Sequence, residues 1–69
     1  MELIDATKLY FADSDGVSGI EKVEVLERHS EEEINVRITW PNEVSDWKLN
    51  LDEDGTVLDA YMFNMVAEY

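Results

Sequence analysis

The sequence predicts an α+β fold: an N-terminal helix packed on a four-stranded antiparallel meander sheet, in one domain covering residues 1–69. Three observations predict it. The apolar spacing changes from helical to alternating after Gly19. Alternating runs then follow one another with turn residues between them. The turns, closed in the shortest way, place one set of apolar side chains on a common face.

Glu2–Ala12 reads as the helix. Leu3, Ile4, Thr7, Tyr10 and Phe11 fall at helical spacing, and Ala6, Lys8 and Leu9 are good helix formers. Glu2 and Asp5 bring negative charge to the first turn, where the helix dipole favours it. A strand through Lys8–Phe11 is the competing reading. Asp13–Gly19, with two glycines and four small polar residues in seven positions, reads as a loop. Val23 and Val25 then alternate with Lys22, Glu24 and Leu26. Ile34, Val36, Ile38 and Trp40 alternate with Asn35, Arg37 and Thr39, and Trp47, Leu49 and Leu51 with Lys48, Asn50 and Asp52. Pro41–Asp46 is expected as a loop and Asp54-Gly55 as a two-residue hairpin turn with φ > 0 at both positions. Val57–Phe63 completes the sheet. A helical tail stays open, because Leu58, Tyr61, Met62, Met65 and Tyr69 also fit helical spacing and Thr56 with Asp59 resembles a capping box.

The registers can be worked out from the turns. Closing Asp54-Gly55 pairs Glu53 with Thr56, hence Leu51 with Leu58, Leu49 with Ala60 and Trp47 with Met62. A short turn at Glu31-Glu32 pairs Val25 with Ile38 and Val23 with Trp40, and the Pro41–Asp46 loop sets Trp40 against Trp47, Ile38 against Leu49 and Val36 against Leu51. All three connections agree on one buried face, and a one-residue slip in any of them breaks the agreement. Trp40 and Trp47 are expected as stacked core residues. Glu27 and His29 also fall on the buried face, so the turn end of the first hairpin is expected to be open or irregular. The outer face then carries Lys22, Arg28, Arg37 and Lys48 with Leu26, Val57, Tyr61 and Phe63. Acids collect at the rims, with Glu31–Glu33 and Asp52–Asp54 at one end and Asp13, Asp15, Glu43 and Asp46 at the other.

Composition excludes several kinds of chemistry. Without cysteine there is no disulfide framework, thiolate nucleophile or cysteine zinc site, and the single histidine, His29, builds no histidine metal cluster. His29 beside Ser30 and near Glu27 is a sequence neighbourhood, not a triad, which needs convergent geometry and an oxyanion donor. So thin a domain leaves little room for a water-excluding pocket of ~300 Å3 or more, so no enzyme activity and no cofactor are expected. Asn50, Asp52, Asp54 and Gly55 match the first three ligand positions and the glycine of an EF-hand loop. Tyr61 stands where the bidentate glutamate is needed, so the segment reads as a hairpin turn with solvated acids, and no metal site is expected. No apolar run is long enough to span a membrane and no basic segment precedes an apolar one, so a cytoplasmic protein is expected.

Val36-Arg37-Ile38-Thr39-Trp40, followed by Trp47 to Leu58 with its Asp52-Glu53-Asp54-Gly55-Thr56-Val57 ending, resembles the closing strands of PepSY-type domains. The resemblance covers less than half the chain. It implies a small helix-plus-antiparallel-sheet module with an inhibitory or protein-binding role, often secreted or membrane-attached.

Charge is the sharpest functional clue. Seventeen acidic residues against five basic ones give −12. A duplex as long as a compact chain of this size, ~28 Å, carries ~16 phosphate charges, which is of the same order. That density looks like the solution used by phage-type anti-restriction and anti-CRISPR nucleic-acid mimics. The expected function is therefore a small acidic protein-binding module that occupies a basic surface of a partner, for example a nucleic-acid-binding protein. Direct contact with nucleic acid or membrane is not expected. The alternative is a structural or PepSY-like interaction domain, acidic for solubility or salt adaptation. Candidate partner-binding residues are Glu31, Glu32, Glu33, Asp52, Glu53 and Asp54 from the two turns, with Tyr61 and Phe63 from the outer face. Self-association into a homodimer stays open.

Overall fold

A computed structural model describes residues 2–12 and 19–69. Most of the expected Asp13–Gly19 loop, with Asp13 and Asp15, lies outside the described residues. Helix α1 spans Leu3–Phe11, followed by β1 (Lys22–Arg28), β2 (Glu33–Thr39), β3 (Glu43–Leu51) and β4 (Val57–Glu68). The strands form one antiparallel sheet in the order β1-β2-β3-β4. Helix α1 begins with Ala6 N–H donating to Glu2 O at 3.0 Å, and it buries Ala6, Thr7 and Phe11. The buried Thr7 hydroxyl is satisfied one turn back, donating to Leu3 O at 2.8 Å. The tail is strand, not helix, and continues past Phe63 to Glu68. Its helical spacing is overridden because the second edge of β3 needs backbone partners and β4 supplies them.

Each hairpin turns differently from the shortest-turn expectation. In the first, His29 and Ser30 N–H groups both donate to Glu33 O, at 3.0 and 3.1 Å, so the turn is longer than Glu31-Glu32. Val23 therefore pairs with Ile38 and Val25 with Val36. Leu26 is then an extra residue at a bulge, after which Glu27 opposes Asn35 and Arg28 opposes Ile34. This reverses the expected sides: Glu27 joins the outer face, and Arg28 moves from the outer face to the helix side. In the second hairpin, Trp40 N–H donates to Glu43 O at 2.8 Å across the Pro41-Asn42 turn. Glu43–Asp46 is thus strand and not loop, and Ile34, Val36 and Ile38 pair with Leu49, Trp47 and Ser45. In the third, Gly55 N–H donates to Asp52 O and Asp52 N–H to Thr56 O, making a three-residue loop. Gly55 alone takes φ > 0 there, at +86°, and Asp54 does not. Leu51 then opposes Val57, Leu58 bulges out, and Leu49–Ala60 and Trp47–Met62 pair as expected. As a result Val57 is buried rather than on the outer face, and Leu58 is exposed. Two further bulges, at Phe63 and Val66, let twelve residues of β4 run along nine of β3.

The core lies between α1 and the sheet. Ile34, Val36, Ile38 and Leu49 are fully buried at its centre. Phe11 joins the layers: its ring lies edge-on to Trp40 at 5.6 Å and to Trp47 at 5.1 Å. Trp40 and Trp47 meet edge-on at 5.8 Å rather than stacked. Trp47 Nε1 donates to the buried Ser45 hydroxyl at 2.7 Å, and Trp40 Nε1 has no acceptor among the described residues.

One acid expected at a rim is instead built into the sheet. Asp46 is 4% exposed. It accepts from Arg37 Nε at 2.8 Å, from Arg37 Nη2 at 3.2 Å and from Asn64 Nδ2 at 3.1 Å. The Arg37 hydrogen bond holds its carboxyl below the usual aspartate range, with burial opposing and Asn64 assisting. A depressed folded-state pKa gives stability that is present above the unfolded value of ~3.9 and is lost as pH falls through the lower folded value. Asp46→Asn is expected to cost ~1.5–3 kcal/mol at pH 7, the range for hydrogen bonds to a charged group. Urea denaturation at pH 7 and again near pH 3 checks this. The gap between wild type and variant should narrow in acid, and an equal gap at both pH values would remove the charge from the explanation.

Candidate partner-binding site at the acidic end

The His29–Glu32 turn and the Asp52–Thr56 turn lie at one end of the meander. Leu51 N–H, at the end of β3, donates to Glu32 O at 2.7 Å, which ties the first turn to the residue that precedes the second. The second turn is stiffened from within: Asp52 Oδ1 accepts from the N–H groups of Asp54 and Thr56, each at 2.9 Å. In the first, Ser30 Oγ accepts from Glu32 N–H at 3.2 Å. Between the turns and the start of α1 is a cavity of about 390 Å3, above the ~300 Å3 for which so thin a domain is expected to leave little room, but open to solvent rather than water-excluding. Its apolar wall is Leu3, Ile34 and Leu51, and Glu31, Glu32, Asp52, Glu53 and Gly55 line the rest with Arg28. Four acidic residues and one arginine thus share the lining.

The structure divides the eight candidate residues. Glu31, Glu32, Asp52 and Glu53 share the cavity. Glu33 does not, and its carboxylate pairs with Lys48 Nζ at 3.3 Å. Asp54 stands exposed in the hairpin loop outside the lining. Tyr61 lies across from Lys48 on β4, and Phe63 is the extra residue at a β4 bulge, so neither belongs to the acidic end. The outer face is laced with charge: Lys22 pairs with Glu24 at 2.9 Å, and that bond holds the Glu24 carboxyl below its ordinary range. The His29 ring lies 3.7 Å from Glu27 at the same turn end.

Sequence reasoning missed the cavity and its Arg28. Arg28 reaches the helix side only because of the Leu26 bulge, for which the alternation gives no signal. The cavity itself follows from two turns longer than two residues, which hold the sheet end open beside α1. No group of three or more His, Asp or Glu side chains converges as a metal site among the described residues, and no described helix is long and apolar enough to cross a membrane. No protein-family model, curated protein or solved structure matches this chain.

Proposed function

We propose that this chain is a binding module whose acidic end occupies a basic surface of a partner protein, in competition with nucleic acid. The observation that carries the reading is that the two acidic turns place Glu31, Glu32, Asp52 and Glu53 around one cavity, with Arg28 as the sole cation of its lining. Acids carried on turns braced by Ser30 and Asp52 need less backbone ordering on contact than acids on a loose loop, so more of their attraction appears as affinity. The dimensions support a mimic of nucleic acid. The molecule measures 34 × 23 × 17 Å, and a duplex of that length is about one turn carrying ~20 phosphate charges. The cavity's apolar wall adds a place for the methylene stem of a lysine or arginine whose head group meets the rim.

Affinity capture from the source cell, at about 50 mM and then about 500 mM salt, tests the proposal, because the Debye length shrinks more than threefold between them. A nucleic-acid-binding protein should be retained at low salt, released at high salt and displaced by added duplex DNA or RNA. Retention indifferent to both salt and nucleic acid rules the reading out.

A further inference from the structure

The two edges of the sheet are treated in opposite ways. Edge strand β1 carries Lys22, Glu24, Glu27 and Arg28 within its seven residues, the usual protection of an exposed strand against pairing. Edge strand β4 carries only Asp59 and Glu68, both near its ends, and Ala60–Ala67 between them is the longest stretch of the sequence without Asp, Glu, Lys or Arg. That stretch is also rich in exposed apolar side chains. Tyr61, Met62, Phe63, Met65 and Val66 are each between 42% and 58% exposed. Met62 and Met65, opposite Trp47 and Ser45, lie on the helix side of the sheet but stay uncovered.

From this contrast we infer that β4 is a self-association surface, on which a second copy of this chain packs across a two-fold axis. Charge selects the occupant. A basic partner is drawn to the acidic turns and gains nothing from an uncharged strand, whereas two copies of a chain at −12 can approach closely only through a surface free of acids. Large side chains supply the contact: Tyr61, Met62 and Phe63 are each at least half exposed along this uncovered edge, and an aromatic ring brings ~150–250 Å2 when fully buried. The bulges at Leu58, Phe63 and Val66 interrupt the outer backbone rim of β4. The contact is therefore made by side chains, with the methionines adapting to the facing copy, and not by a continuous eight-stranded ladder. A chain this short, with no disulfide, is also of the size class that commonly gains stability by associating.

Sedimentation equilibrium of the purified chain across a concentration series, in low and in high salt, reads this out. The mass should rise from 8.0 kDa towards twice that value, and the dimer should tighten as salt screens the repulsion between copies, the reverse of the salt response expected for a basic partner. Phe63→Glu, and separately Met62→Lys, should weaken the dimer at least tenfold while the far-UV circular dichroism stays native. Val25→Glu, on the opposite edge strand, should leave it unchanged. A chain that stays monomeric to millimolar concentration in high salt overturns the inference. So does a dimer that survives both β4 substitutions, or one that is lost in Val25→Glu. None of these results bears on capture of a basic partner by the acidic end, so the two proposals fail separately.

Discussion

Phe11→Ala is expected to lower the stability of this chain by ~3–5 kcal/mol, the range for truncating a buried phenylalanine. Phe11 is 7% exposed and its ring touches both Trp40 and Trp47, so the variant removes the group that fastens α1 to the sheet. A domain of this length has only ~3–10 kcal/mol of net stability in total. The variant should therefore be largely unfolded at 37 °C, with a much lower urea midpoint and blue-shifted tryptophan emission lost from both indoles. A loss below about 1 kcal/mol would mean that the helix is held by something other than the aromatic cluster, since even partial relaxation around the site leaves more than that.

Neutralising the cavity acids together, as Glu31→Gln, Glu32→Gln, Asp52→Asn and Glu53→Gln, is expected to weaken binding to the basic partner by roughly 30- to 1,000-fold. That range follows from ~0.5–1 kcal/mol per exposed charge contact, summed over four. The amide at position 52 keeps an oxygen for the N–H groups of Asp54 and Thr56, so the turn is preserved. Stability should hold or rise, because four negative charges leave a chain at −12. Glu33→Gln and Asp54→Asn, outside the cavity, should each change affinity less than twofold to threefold. Binding titrations at about 50 mM salt measure both sets. Equal losses per neutralised charge in the two sets would return the effect to net charge, and no loss from the quadruple variant would remove the acidic end as the binding surface.

What the sequence determined by itself is the layout: one helix, then four antiparallel strands in order, with Ile34, Val36, Ile38, Leu49 and Leu51 on the buried face. That face survived incorrect registers for a physical reason. The first hairpin is displaced by two residues and the second by four from the shortest-turn expectation, and even displacements keep every side chain on its side of a pleated sheet. Odd displacements are where the reading failed. The three-residue loop at Glu53–Gly55 and the bulge at Leu58 cancel one another beyond Asp59, but between them they exchange Val57 for Leu58 in the core. The Leu26 bulge likewise carries Arg28 to the helix side, where it lines the cavity, and Glu27 from the expected buried face to the outer one. Bulges answer to twist, to the helix above the sheet and to backbone pairing across strands, none of which is written in local alternation. The gathering of Glu31, Glu32, Asp52 and Glu53 was legible as two turns at one end of a meander. That they surround a cavity, and that Glu33 and Asp54 lie outside its lining, was decided by turn lengths and strand pairings that only the folded chain fixes.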